Sequence, residues 1–169
     1  FFVFPKSSEA TSGEMNEALD ALKSLDFQGK EGLEIPQPPF SPDLEEQLEP
    51  IWRHRPEILT FHFGVPDHEV FNKAHALDIL VGITVTSKEE AEKVEDSGAD
   101  FIVAQGFEAG GHRGVFDPDS PDEQLKTLEL IKVLRSSSKL PLVAAGGIMS
   151  QDQFLEVISV GATAVQMGT

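Results

Sequence analysis

The part of the sequence best suited to chemistry is a glycine-rich segment that carries a single histidine. It reads QGFEAGGHRG over residues 105–114 and directly follows the apolar run Phe101–Gln105. Histidine is a side chain suited to proton transfer near neutral pH, so His112 in this segment could act as a general acid or base. A lone loop histidine is more often a surface or structural residue, but a glycine-rich loop after a strand is where α/β enzymes keep catalytic groups. We therefore predict that His112 is catalytic.

Other charged and titratable residues have less distinctive surroundings. Glu108 could orient the loop or His112, or it could be a solvated surface charge, and for Arg113 we favour a solvated surface charge over an anion contact. The remaining histidines show no spacing that is typical of metal ligands, so we predict no metal site. His62 lies near the end of an apolar run, and we expect it to be packed and hydrogen-bonded.

Two glycine sites near the end of the chain are suited to binding a phosphate. AAGGI at residues 144–148 follows one apolar run, and QMGT at 166–169 follows the next. Glycines let backbone N–H groups approach a ligand closely, and a helix N-terminus adds partial positive charge. Gly146 and Gly147 could instead only make a tight turn. Two such sites after successive strands are typical of the phosphate sites of (β/α)8 barrels, and no G-x-G-x-x-G motif supports a dinucleotide-binding fold.

Five short apolar runs are the elements that must position these residues. They are rich in valine, isoleucine and phenylalanine, as expected of parallel strands that are buried on both faces. The predicted strands are Ile58–Phe63, Ile79–Val85, Phe101–Gln105, Leu142–Ala145 and Ala164–Met167. Alternation of strands and helices predicts a parallel α/β sheet, which could be a barrel or a doubly wound sheet.

Helical patterns separate the runs. Ser87 and Glu90 form a predicted capping box, the apolar period from Pro121 to Leu134 predicts a second helix, and residues 154–158 predict a third. Two further helices are predicted at Met15–Leu25 and Asp43–Trp52. We predict a single domain over residues 1–169, in which 5–57 is a surface excursion with helices and 58–169 is the core.

Composition and charge narrow the classes of protein. The 169 residues include 13 basic and 29 acidic ones, for a formal charge of −16, and no cysteine. An acidic surface repels phosphate backbones and anionic membranes, so we predict no nucleic-acid or membrane partner. No apolar run approaches the roughly 20 residues of a membrane helix, and no signal peptide is apparent. We expect a cytoplasmic protein whose acidic clusters, such as Glu89-Glu90, are solvated.

Five sequence motifs together resemble the nitronate monooxygenase family. The most specific is VAQGFEAGGHRG at residues 103–114, and its companions are FHFG at 61–64, VGITVTS at 81–87, AAGGI at 144–148 and QMGT at 166–169. The resemblance is strong over residues 58–169 and weak before them. It implies an FMN-binding TIM barrel that oxidises alkyl nitronates, and possibly nitroalkanes, with molecular oxygen.

The resemblance also implies roles for individual residues. His112 would be the catalytic acid or base beside the flavin. The implied FMN-binding residues are Gln105, Gly110, Gly111, Gly146, Gly147, Gln166, Met167, Gly168 and Thr169. This agrees with the phosphate site expected from the glycines alone.

The chain departs from the family pattern in its extent. Phe1–Phe4 resembles the end of the third barrel strand, so the first two strands and the C-terminal helices are expected to be missing. We therefore predict an incomplete barrel that is a fragment of a longer protein and is inactive by itself. Two alternatives stay open. One is an FMN-dependent enoyl-acyl-carrier-protein reductase, which shares the EAGGH loop but suits Gln105 and Arg113 less well, and the other is a non-catalytic phosphate-binding barrel remnant.

Overall fold

The computed structural model of this protein describes residues 11–25 and 43–168. The chain divides into two compact units, one at Lys6–Glu49 and the other containing Pro50–Thr169. The helices are α1 (Ser12–Ser24), α2 (Leu44–His54), α3 (His68–His75), α4 (Lys88–Glu95), α5 (Thr127–Ser137) and α6 (Gln151–Ser159). The strands are β1 (Ile58–Phe61), β2 (Leu80–Val85), β3 (Phe101–Gln105), β4 (Leu142–Ala145) and β5 (Ala164–Gln166).

The five strands form one parallel sheet whose order follows the chain, from β1 to β5. Each strand pairs with the next, as in the register Phe61 to Ile83 between β1 and β2. A doubly wound sheet would reverse its order at a switch point, whereas a (β/α)8 barrel adds each strand beside the last. The sheet is thus an arc of a barrel, and the predicted incomplete barrel is confirmed. The strand predicted at Phe1–Phe4 lies outside the described residues.

The core lies between the strands and the helices that follow them. Val81, Ile83 and Val85 of β2 are 0% exposed, as are Ile131 and Leu134 of α5. This burial confirms the apolar runs as interior strands. The exception is β5, whose residues are exposed or half-buried. It pairs only with β4 among the described residues, so the prediction that it is buried on both faces is wrong for this chain.

Helix α5 begins six residues later than its apolar period suggested. Residues 121–126 are not helical, because Gln124 adopts a left-handed backbone with φ 53° and interrupts the run. The first turn then begins at Thr127, with the Glu129 carboxylate accepting a hydrogen bond from the Lys126 N–H at 3.2 Å. The helix predicted from Pro121 is therefore wrong over its first turn and a half.

The start of α4 corrects a second expectation. Ser87 caps the helix by accepting the Glu90 N–H at 3.2 Å. The Glu90 side chain does not complete a capping box, since it instead accepts the N–H and hydroxyl of Thr86 at 2.6 and 2.9 Å. Its other oxygen accepts the Phe116 N–H at 2.7 Å. Glu90 is only 8% exposed, so the prediction that it is solvated is wrong.

The N-terminal helices occur close to where they were predicted. Thr11 and Glu14 form a capping box that begins α1, and none of the residues in α1 is buried. Helix α2 begins after Asp43, whose carboxylate accepts the Glu45 N–H at 2.8 Å. Within the surface excursion predicted at 5–57, residues 26–42 lie outside the described residues, and the division of a single domain into 5–57 and 58–169 stays a prediction.

Candidate functional site

A cavity of about 830 Å³ opens at the C-terminal ends of the strands. All five strands contribute to it, through residues that include Thr60, Thr84, Gln105, Ala145 and Gln166. In (β/α) barrels this is the face that carries the active site. The predicted site residues that line the cavity are Gln105, Gly110, His112, Gly146, Gly147, Gln166, Met167 and Gly168. Gly111 does not line it, and Thr169 lies outside the described residues.

Gln105, at the end of β3, clamps the loop that carries His112. Its side-chain amide nitrogen donates to the His112 carbonyl at 3.0 Å, and its amide oxygen accepts the Gly114 N–H at 2.7 Å. Gln105 is only 7% exposed, so these bonds form away from water, where an unmade bond would be costly. The nitrogen and the oxygen of the Gln105 side-chain amide are thus both hydrogen-bonded to the loop that carries His112.

Arg113 makes a second clamp on the same loop. Its guanidinium donates to both carboxylate oxygens of Asp122, at 2.8 and 2.9 Å, and also to the Gln105 carbonyl. The hydrogen bonds from Arg113 hold the pKa of Asp122 below its ordinary value. A bidentate arginine–carboxylate pair fixes geometry as well as charge. The prediction that Arg113 is a solvated surface charge is therefore wrong.

The side chain of His112 itself is exposed at the cavity, while its backbone is held in place. Besides the bond from Gln105, the His62 Nε2 lies 3.3 Å from the His112 carbonyl. The Phe63 ring meets the His112 ring edge-on, with centroids 6.2 Å apart. An exposed imidazole on a fixed backbone can reach a ligand and exchange protons with it.

His62 also lines the cavity, and it is packed and hydrogen-bonded as expected. Burial lowers the pKa of His62 from its ordinary value, and the hydrogen bond to the His112 carbonyl opposes that shift only in part. A neutral ring can donate from Nε2 to the carbonyl. Gly114 makes room for the ring, because a Cβ there would lie 2.6 Å from the His62 Cε1.

Three glycines around the site are required by contacts within the chain. A Cβ on Gly106 would lie 2.0 Å from the Thr127 Oγ1, and one on Gly146 would lie 2.9 Å from the same atom. A Cβ on Gly147 would lie 2.7 Å from the Cβ of Glu108, and this glycine also has a left-handed φ of 66°. These positions exclude a side chain whether or not a ligand is bound.

Three other glycines of the site have open space where a Cβ would point. Among the residues that the structure describes, no atom lies within 4 Å of that position at Gly110, Gly111 or Gly168. Gly111 still needs glycine for its φ of 81°, whereas Gly110 and Gly168 line the cavity and are not in the left-handed region. Backbone at Gly110 and Gly168 is therefore open to a close approach by a ligand, as a phosphate or a flat ring requires.

Comparison with known proteins gives the family. A family model described as nitronate monooxygenase matches residues 15–169. The chain belongs to the nitronate monooxygenase family. A nitronate monooxygenase from Pseudomonas aeruginosa is 46% identical over 119 residues, which are 70% of this chain and 34% of that protein. The chain spans about a third of the length of the curated relatives it matches.

Solved structures show the same similarity in three dimensions. A nitroalkane oxidase from Streptomyces ansochromogenes is 40% identical, with a TM-score of 0.70 over 73% of this chain and 36% of that one. A FabK variant from Thermotoga maritima is 29% identical, with a TM-score of 0.66 over 76% of this chain and 40% of that one. Their agreement supports the barrel fold of this nitronate monooxygenase family member.

Sequence reasoning missed Thr127, which contacts both loops of the site. It is 3% exposed, and its N–H and hydroxyl meet the Glu108 carboxylate at 2.8 and 3.2 Å. Glu108 therefore holds the His112 loop in place through its hydrogen bonds to Thr127. The available signal was a threonine next to the helical apolar period of Leu128, Ile131 and Leu134, because small hydroxyl residues are common near helix starts.

In the described parts of the chain, at 11–25 and 43–168, none of the helices combines the length and the apolar character that crossing a membrane demands.

Proposed function

We propose that the full-length protein is an FMN-dependent oxidoreductase that oxidises alkyl nitronates with molecular oxygen, with His112 as its acid or base. The observation that carries this proposal is that one cavity, at the C-terminal ends of the strands, is lined both by His112 and by Gly110 and Gly168, whose backbone is open to a ligand. The cavity volume of about 830 Å³ falls within the range of small-molecule and cofactor sites. Family membership over residues 15–169 supports the same conclusion.

The residues present fit a flavin phosphate that is bound by backbone rather than by cations. None of the lining residues in the described part is Lys or Arg, while Gly168 and Gly110 present open backbone to the cavity. Backbone N–H groups are suitable ligands for a phosphate. We propose that Gly168, with Gln166, Met167 and Thr169 around it, holds the phosphate end.

The remaining predicted contacts divide between binding and support. Gly110 would meet the flavin across the cavity. The side-chain amide of Gln105 is hydrogen-bonded to the His112 loop, so Gln105 would contribute to flavin binding indirectly, by holding that loop in place. Gly146 and Gly147 would shape the turn beside the phosphate, and Gly111 would give the loop its left-handed bend.

When bound, FMN would supply the acceptance of electrons from the substrate and their transfer to oxygen. His112 would then accept a proton from the substrate or donate a hydrogen bond to it. A neutral nitroalkane must lose a proton from the carbon beside the nitro group, and a neutral imidazole at that carbon can take it. A nitronate has already lost that proton, so His112 would instead donate a hydrogen bond to its nitro oxygens.

We further propose that the protein is a cytoplasmic enzyme that acts on small molecules. The formal charge of −16 disfavours nucleic acid as a partner. We propose nitronate and oxygen as its partners, and no macromolecule is needed for the reaction.

The deciding experiment is a spectrum of the purified full-length protein followed by anaerobic mixing with propyl nitronate. We expect a yellow protein that bleaches on mixing and regains its colour when oxygen is admitted, and the flavin released by heating should run with FMN. A colourless protein that cannot be reconstituted with FMN would favour the non-catalytic remnant. Oxidation of reduced nicotinamide with an enoyl thioester, without reaction of nitronate, would favour the reductase.

A further inference from the structure

The buried hydroxyl of Thr127 lies between the two loops of the site. The Thr127 Oγ1 is 2.8 Å from the Gly146 carbonyl, in the turn after β4, and 3.2 Å from the Glu108 carboxylate, in the loop after β3. A hydroxyl has one proton to donate, and the shorter distance assigns it to Gly146. The Thr127 N–H separately donates to Glu108 at 2.8 Å. Thr127 thus bonds each loop with a different group.

Helix α5 gives these contacts a fixed origin. Thr127 is its first residue, and α5 packs into the core through residues that are 0% exposed, including Leu130 and Leu134. A carboxylate at the first N–H of a helix is favoured by the helix dipole. Glu108 therefore acts as a cap on the N-terminus of α5, although it belongs to the loop after β3.

Glycine placement shows that both loops are fitted tightly against this pair. The glycines that contact the pair are Gly106 and Gly146 on the Thr127 side and Gly147 on the Glu108 side. A Cβ at any of them would lie within 3.0 Å of Thr127 or Glu108 atoms. A shift of either residue therefore has to move one of the loops.

We propose that Glu108 and Thr127, here called the latch, are positioning residues that set the spacing between the His112 loop and the glycine turn after β4. The inference rests on the proposed function, in which the first loop carries the acid or base and the second lies beside the phosphate. Glu108 is four residues before His112, and Gly147 lines the cavity on the opposite loop. The latch would thus fix the distance between the loop that carries the proton-transfer group and the glycine turn that would lie beside the phosphate.

The test variant is Thr127→Val in the full-length protein, since valine keeps the branched shape and removes only the hydroxyl. Thr127→Ser is the rescue, because it restores the donor. Thr86→Val is the matched control, because Thr86 is also a buried threonine whose N–H and hydroxyl both make hydrogen bonds, here to Glu90. Glu90 does not line the cavity, whereas the Thr127 partners Glu108 and Gly146 do.

We expect Thr127→Val to lower kcat roughly 10–100-fold, because displacement of a reacting group by about 1 Å costs that much. The Kd for FMN should rise about tenfold, the equivalent of one good hydrogen bond. Thr127→Ser and Thr86→Val should stay near the parent in both. A loss in Thr86→Val equal to that in Thr127→Val would overturn the proposal, since the effect would then be general destabilisation.

A second background separates positioning from simple loss of structure. In His112→Asn the proton-transfer step is already impaired, so adding Thr127→Val should leave kcat unchanged while still raising the Kd for FMN. An undiminished fall in kcat in this background would show that Thr127 does not act through His112.

Hydrogen exchange in the flavin-free protein tests the latch independently of catalysis. Segments 106–114 and 146–149 should both exchange faster in Thr127→Val, and also in Glu108→Ala, which serves if the valine variant does not fold. Faster exchange in one segment alone, or in neither, would overturn the coupling. If the parent holds no flavin and does not oxidise nitronate, the proposed function fails, and this exchange result still decides the latch.

Discussion

Three glycines of the site should respond differently to the same small substitution. Gly147→Ala adds a Cβ to a left-handed backbone of φ 66° and places it 2.7 Å from the Glu108 Cβ. Gly111→Ala meets the same kind of backbone strain at φ 81°, but no described residue has an atom within 4 Å of the added Cβ. Gly168→Ala meets neither that strain nor a close atom of the described residues. The series therefore separates backbone strain from a steric clash.

The magnitudes follow from these geometries. An L residue in the left-handed region costs about 1–2 kcal/mol, and overpacking a fitted site costs about 1–3 kcal/mol. Gly147→Ala should therefore lose roughly 2–5 kcal/mol in the free energy of unfolding, and Gly111→Ala about 1–2 kcal/mol. Gly168→Ala should stay within about 0.5 kcal/mol of the parent, as substitutions without such features do.

The assay is urea unfolding of the full-length apoprotein, followed by a titration with FMN. The free energy of unfolding should be highest for Gly168→Ala, lower for Gly111→Ala and lowest for Gly147→Ala. Of the three variants, only Gly168→Ala should bind FMN more weakly while keeping the stability of the parent. Equal unfolding midpoints for Gly147→Ala and Gly168→Ala would refute the packing argument. Unchanged FMN affinity in Gly168→Ala would refute the open-backbone argument.

Three further predictions concern the His112 loop. His112→Asn should keep the yellow colour and the melting temperature but lose turnover by on the order of 10²–10⁴, more on nitroalkanes than on nitronates, as measured by oxygen consumption. Asp122→Asn should lower Tm at neutral pH, because the Arg113 pair lowers the pKa of Asp122 in the folded protein. That contribution is present above the ordinary pKa of 3.8 and is lost as pH falls through the lowered value, so the Tm difference should shrink in acid. Gln105→Leu leaves the buried Gly114 N–H without its acceptor and should cost about 1–3 kcal/mol in urea unfolding.

The sequence predicted the sheet well because the strands of a parallel sheet need continuous apolar runs. Phe101–Gln105 and Leu142–Ala145 were predicted with their observed bounds. Helix α5 was placed too early because its start depends on Gln124 in a left-handed conformation and on a cap from Glu108, 19 residues away. Neither is visible in the local apolar period.

The positions of the predicted site residues at the cavity could be predicted from the sequence, whereas their catalytic and binding roles stay predictions. Eight of the ten predicted residues line the cavity, since strand ends bring them together whatever their roles. The roles of Arg113 and Glu108 depend on partners that are close only in the folded chain, Asp122 and Thr127. Charge and spacing could not distinguish a clamp from a solvated surface residue.

Glycine shows why contacts must be known before a motif can be assigned to a ligand. Within AAGGI the two glycines suggested a phosphate site, yet Gly146 and Gly147 are both required by Thr127 and Glu108. At Gly110 and Gly168 the described chain gives no such reason, and both glycines line the cavity. A glycine that the fold does not require is best explained by a ligand that binds beside it. Gly110 and Gly168 are therefore stronger evidence for a cofactor site than Gly146 and Gly147.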